Sequence, residues 1–238
     1  MKILSIGNSF SKNAQTYLHG VAASQGVDLY TVNLYFGGCS LEQHYNFHIA
    51  NESPYDLEIN GTPTGEKISL AKAIALEDFD VVTVQQASSK SFDYESYNPY
   101  LTFLADYVRA NCPSAKLYVH QTWFYEQDSE MLTARGFSSC ADMMEKVKSA
   151  YAKAIEAISA DGIIPSGELF LKLYENGVTH LHCDTFHASD GIGCYALALT
   201  WLRALTGVSV RENSFSGMEE QISDSDRATI IRCVEELC

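Results

Sequence analysis

Apolar positions along the chain change period repeatedly, and each change marks an element. Residues 2–6 form a short apolar run in which Ile3, Leu4 and Ile6 suit burial in a sheet, and Gly7-Asn8 then breaks it with two residues that tolerate tight turns. From 12 to 25, Ala14, Tyr17, Leu18, Val21 and Ala22 recur at helical spacing until Gln25-Gly26. Residues 27–34 read as a second strand that stops at Phe36-Gly37-Gly38-Cys39-Ser40. Residues 42–65 hold no sustained period and are rich in Asn, Pro, Gly, Tyr and His, which predicts a long excursion with a hairpin around Asn60-Gly61.

Alternation resumes with a helix over 68–75, then the near-continuous apolar strand Asp80-Val81-Val82-Thr83-Val84-Gln85-Gln86. A polar and aromatic loop over 88–97 leads to Pro99, which opens a helix through Leu101, Leu104, Tyr107 and Val108. Leu117-Tyr118-Val119 is the next strand. The helical period is most regular at 139–159, through Cys140, Met143, Met144, Val147, Tyr151, Ala154, Ile155 and Ile158. A short strand at 161–165, a helix at 166–174, a helix capped by Ser189-Asp190-Gly191 and an amphipathic helix from 223 complete the pattern. Strands alternating with helices imply right-handed crossovers and a single α/β domain over 1–238. The expected architecture is a three-layer α/β/α sandwich on a mostly parallel, five-stranded sheet.

Composition narrows this little but excludes partners. The 238-residue chain is 46% hydrophobic and 19% charged, ordinary values for a globular domain with a full core. Its formal charge of −14, with 16 Lys and Arg thinly spread, argues against a nucleic-acid partner. It also favours a neutral over a strongly anionic substrate. Seven cysteines, Cys39, Cys112, Cys140, Cys183, Cys194, Cys233 and Cys238, include no CxxC pair and fit reduced thiols. The apolar stretch after Met1-Lys2 is too short for a signal peptide and no run approaches a membrane span, so the expectation is a cytoplasmic protein without membrane partners.

Three residue types in this pattern point to chemistry. Ser9 follows the first strand directly, at the end where open α/β sheets build their sites; alone, it equally suits a helix cap. Asp184-Thr185-Phe186-His187 places a carboxylate and an imidazole three apart on one loop. Hydrolysis by a serine needs such an imidazole to take its proton and such a carboxylate to orient the ring. His180, His182, Cys183 and His187 offer a competing metal set, as do His44 and His48 four apart, but no second cluster with ligand spacing supports either. No metal and no organic cofactor is therefore expected.

Gly7-Asn8-Ser9 with Phe10, Gly38 after the second strand, and Asp184-x-x-His187 followed by Ser189 and Gly191 resemble the SGNH, or GDSL-like, hydrolases. The set "IGNSFS", "GGCSLEQH", "VVTVQQASS" and "DTFHASDGIG" is most similar to the DUF4886 branch of that group, over roughly residues 1 to 205. The resemblance implies a flavodoxin-like SGNH hydrolase fold, with Ser9 as nucleophile, His187 as base and then acid, and Asp184 fixing the imidazole. It also implies an oxyanion hole that includes the backbone N–H groups of Ser9 and Gly38. The family's Gly-x-Asn-Asp block is replaced here by Ala87-Ser88-Ser89 after two glutamines, so Gln86, then Gln85, is the expected third donor.

Asn8, Gln85, His44 and Trp123 are expected to contact substrate, within aromatic loops that also carry Tyr45, Phe47, Tyr94, Tyr97, Phe124 and Tyr125. His120 and Gln121 end a strand on the same side. The function that follows is esterase action on a small ester, foremost an acetyl group on a carbohydrate. A thioesterase or general carboxylesterase would use the same triad, and a carbohydrate-binding protein without turnover would share the fold.

Overall fold

The structure is a computed structural model that describes residues 1–238. The first apolar run forms β1 (Lys2–Ile6), and the helical stretch after it divides into α1 (Ser9–Gln15) and α2 (Leu18–Ala23). Next come β2 (Tyr30–Tyr35), α3 (Leu41–Ile49), β3 (Tyr55–Ile59), β4 (Thr62–Ile68) and α4 (Leu70–Ile74). The second half runs β5 (Val81–Val84), α5 (Tyr100–Asn111), β6 (Lys116–His120), α6 (Glu130–Ala134), α7 (Cys140–Ile158), β7 (Gly162–Ile164), α8 (Ser166–Glu175), α9 (Ile192–Thr206) and α10 (Asp224–Leu237).

One sheet holds all seven strands in the order β4-β3-β2-β1-β5-β6-β7. The expected five strands are its parallel part, β2, β1, β5, β6 and β7. The correction to seven comes from the excursion: the hairpin turning at Asn60-Gly61 adds β3 antiparallel to β2 and β4 antiparallel to β3. Within the same excursion α3 replaces expected loop. Its apolar period is weak, but Ser40 and Gln43 form a capping box at its start, each side chain bonding the other's backbone N–H.

From β1 the chain steps one way to β2 and the other way to β5, β6 and β7, so right-handed crossovers place helices on opposite faces. Accordingly α1 and α2 pack with α9, which also meets α10, whereas α3, α5 and α7 pack in succession on the other face. The reversal of direction at β1 is the topological switch point, where doubly wound sheets open a crevice at the carboxyl ends of their strands. Ser9 lies there because β1 ends at Ile6 and α1 starts three residues later.

The central strands are buried on both faces: Ile3, Leu4, Ile6, Val81, Val82 and Val84 are all at most 3% exposed. Polar side chains within that layer satisfy one another, as where Ser5 Oγ receives Thr83 Oγ1 at 2.8 Å and Gln15 Nε2 at 2.5 Å. No helix is long and apolar enough to cross a membrane. Since Leu4 is fully enclosed on the middle strand, Leu4→Ala should cost about 2–5 kcal/mol of stability, read as a lower urea midpoint at unchanged slope.

Candidate active site

Ser9 is held by a turn with little freedom. A Cβ on Gly7 would lie 2.1 Å from Ser11 Oγ and 2.7 Å from Ser11 Cβ, so only glycine lets the chain fold this sharply. Asn8 is the N-cap of α1, its Oδ1 accepting from the Phe10 N–H at 3.0 Å while Ser11 Oγ accepts from the Asn8 N–H at 3.1 Å. This cap leaves the Ser9 N–H unclaimed. Across the crevice Gly38 takes φ +67°, the left-handed region that a side chain would strain, and its N–H also has no acceptor within the protein.

Asp184 and His187 come from the loop before α9, which is pinned on several sides. Cys183 N–H donates to the His187 carbonyl at 3.1 Å and Ser189 N–H to the Leu181 carbonyl at 2.9 Å. Trp123 Nε1 holds the Phe186 carbonyl at 2.8 Å, and Glu126 N–H holds the Thr185 carbonyl at 2.8 Å. Asp184 Oδ1 accepts from the N–H groups of Phe186 at 2.8 Å and His187 at 2.7 Å, leaving Oδ2 for His187 Nδ1 at 2.7 Å.

Partial burial alone would raise the Asp184 pKa, but the two backbone N–H groups and the imidazole outweigh it and hold the carboxyl below its ordinary value. An ionised carboxylate only accepts, so Nδ1 carries the imidazole proton and Nε2 is free to accept from Ser9 Oγ, 2.9 Å away. Ser9, His187 and Asp184 thus form one continuous, directed chain.

The cavity in front of this chain is small, about 240 Å³, and is lined by Asn8, Ser9, Phe10, Tyr35, Gly37, Gly38, Ser88, Phe186 and His187. Several residues expected there stand elsewhere. Gln86 is fully buried, with Oε1 accepting from Leu41 N–H and Ala87 N–H and Nε2 donating to Ser96, so no donor remains to face the site. Gln85 lies behind the wall, donating to Asn8 Oδ1 at 2.7 Å.

His44 is fully enclosed, its Nδ1 2.9 Å from Tyr55 Oη, and burial pushes its pKa down to about 3. Trp123 is likewise enclosed, tilted against Phe10 at 4.1 Å and stacked on Phe170 at 4.8 Å, and supports the Asp184–His187 loop from behind. His182 spends its Nε2 on the Phe124 carbonyl at 3.1 Å, and the structure gathers no group of three or more His, Cys, Asp or Glu side chains that could hold a metal ion.

Of the expected contacts, Asn8 alone reaches the cavity, and mainly through its backbone surroundings, since its carboxamide is engaged. The aromatic walls are Phe10, Tyr35 and Phe186, not the rings of the loops after the strands; Tyr97, Phe124 and Tyr125 are core. Ser88 does line the cavity, and the signal for it in the sequence is its position alone, within the Ala87-Ser88-Ser89 stretch that replaces the missing family block. Its Oγ stands 3.3 Å from Tyr125 Oη.

The profile of the family described as "Domain of unknown function (DUF4886)" matches residues 2–232. A crystal structure of a DUF4886 family protein from Bacteroides uniformis is 31% identical, with 99% of this chain and 93% of that one covered and a TM-score of 0.91. A protein from Slackia heliotrinireducens, provisionally described as an SGNH hydrolase, is 22% identical over 86% of this chain and 98% of its own, at a TM-score of 0.63. An acetyl xylan esterase from Geobacillus stearothermophilus shares the fold at 14% identity, covering 93% and 97%, with a TM-score of 0.55. No curated protein matches the sequence.

Because Trp123 acts through the Phe186 carbonyl rather than in the cavity, Trp123→Phe should lower stability by about 1–3 kcal/mol. Its effect should appear in thermal denaturation and not as a changed apparent affinity for small esters.

Proposed function

The chain belongs to the DUF4886 family, and we propose that within it this protein is a serine esterase of the SGNH type, acting on small esters and foremost on acetyl groups carried by a carbohydrate. The observation that carries the reading is the directed chain from Ser9 Oγ through His187 to Asp184, opening on a cavity that also presents Gly38. Cavity size supports a short acyl group, since about 240 Å³ bounded by Phe10, Tyr35 and Phe186 leaves little room for a long chain. Acetyl xylan esterases among the solved structures of the same fold agree with a carbohydrate as the alcohol.

In this reading Ser9 Oγ attacks the ester carbonyl as His187 Nε2 takes its proton. The carbonyl oxygen becomes an oxyanion that the unclaimed N–H groups of Ser9 and Gly38 stabilise. Ser88 is the side-chain hydroxyl the cavity offers: its Oγ pairs with Tyr125 Oη, either of which can donate, and when Tyr125 donates the Ser88 proton is left to face the oxyanion. His187 then protonates the departing alcohol. A water enters and attacks the acyl carbonyl while losing a proton to His187; the bond to Ser9 Oγ then breaks, His187 returns that proton to Oγ, and the acid leaves. Asp184 keeps the imidazole in one tautomer and stabilises its charged form in both halves of the cycle. A thioesterase would differ only in the leaving group, so substrate panels separate the two.

Fluorophosphonate labelling should place one adduct on Ser9, and Ser9→Ala should abolish both adduct and turnover of a chromogenic acetate ester. No adduct and no turnover by the wild type would sink the reading. Ser88→Ala should lower kcat by about 10²-fold with little change in KM, as loss of an oxyanion donor does.

A further inference from the structure

Behind Ser9, the Asn8 carboxamide is the end of an unbroken line of buried polar groups that the chemistry above leaves unused. Gln85 Nε2 donates to Asn8 Oδ1 at 2.7 Å, His120 Nδ1 meets Gln85 Oε1 at 2.7 Å, and Ser166 Oγ meets His120 Nε2 at 3.0 Å. Asn8, Gln85, His120 and Ser166 are each at most 2% exposed, and they come from the ends of β1, β5 and β6 and the start of α8.

Every link has one polarity. Phe10 N–H points at Asn8 Oδ1, so the Asn8 amide nitrogen is the atom facing the Cys39 carbonyl, 2.9 Å away. Gln85 must then present its nitrogen to Asn8 and its oxygen to His120. His120 is consequently the Nδ1–H tautomer, with Nε2 accepting from the Ser166 hydroxyl. Burial pushes the His120 pKa down to about 3, so the ring stays neutral. The line ends on the turn that carries Gly38: Cys39 N–H closes that turn on the Phe36 carbonyl at 3.1 Å, and the Cys39 carbonyl ties it to β1 through Asn8.

We propose that Ser166, His120 and Gln85 are positioning residues, a one-way hydrogen-bond relay that acts through Asn8 to hold the 36–39 turn, and with it the Gly38 N–H, in register with Ser9. Its consequence for turnover rests on the esterase reading; its geometric content does not. Removing a link leaves Asn8 Oδ1 with the Phe10 N–H as its one well-fixed donor, so the carboxamide's hold on the Cys39 carbonyl loosens. Groups held about an ångström out of place cost on the order of 10²-fold in rate.

The test compares Gln85→Met, which keeps the shape and removes both polar ends, with His120→Leu and His120→Asn, the last retaining an N–H where Nδ1 stands. Amide hydrogen exchange of the peptide over 36–40 is followed by mass spectrometry, alongside kcat and KM on a chromogenic acetate and the thermal midpoint of each variant. Gln85→Met and His120→Leu should speed exchange at 36–40 by on the order of tenfold and lower kcat by about 10- to 100-fold, with KM nearly unchanged. His120→Asn should recover most of both. Should Gln85→Met not fold, the two His120 variants decide alone.

Lower thermal midpoints with exchange at 36–40 unchanged would overturn the proposal and leave the line a purely stabilising one. A wild type without turnover would remove the esterase reading, and the exchange measurement would still decide the relay.

Discussion

Everything at the site depends on one buried carboxamide. Asn8 sits where β1 gives way to α1, and leaving such a group unpaired away from water would cost about 1–3 kcal/mol per lost partner. Its Oδ1 takes two donors, its Nδ2 gives to Cys39, and its backbone N–H finds Ser11 Oγ. Through Ser11 a second polar line leaves toward the other half of the sheet, passing Asn33 at 2.7 Å and the buried Glu58 at 2.8 Å, where Lys12 supplies the balancing charge at 3.2 Å. Asn8 therefore joins the β2–β3 side to the β5–β6 side at the switch point. Ser9 is the next residue, and its direction is set by bonds it does not itself make.

The acid–base loop solves a different problem. Asp184 has 46% of its side chain exposed and His187 has 28%, so solvent screens their charges and burial contributes little to their pairing. Order comes from the frame instead, with Trp123, Glu126 and Asn13 each fixing a backbone group of residues 185–188. A loop pinned in this way keeps the imidazole aimed at Ser9 without enclosing it, and substrate and water retain access.

Strands β1, β5 and β6 were legible because burial on both faces demands unbroken apolar runs, and α7 because its period never lapses over 19 residues. Ser9, Asp184 and His187 were legible as a set because the resemblance to the SGNH hydrolases joins a serine past a strand end to an Asp-x-x-His loop; alone, Ser9 equally suits a helix cap. Helix α3 was not: His44 and Leu41 are its only buried residues, too few to print a helical period, and the Ser40–Gln43 cap was the one local sign. Side-chain direction past a strand end was also hidden. Gln85 and Gln86 are neighbours in sequence, yet one runs toward Asn8 and the other toward Ser96, and nothing in two adjacent glutamines tells which is which. His44 and Trp123 failed as substrate contacts for the same reason, since both turn inward to the core.

The separation of Ser9 from His187 by 178 positions has a bearing on biosynthesis. The ribosome delivers the hydroxyl early, just past the strand in the middle of the sheet, and its hydrogen-bond partner only after every strand has been made. Nascent chains of intermediate length hold Ser9 without its imidazole partner. Contacts of such long range also form late in folding, because loop closure must precede them. If the esterase reading holds, reactivity arrives with the docking of the last third of the domain, and a half-made or half-folded molecule is a silent one.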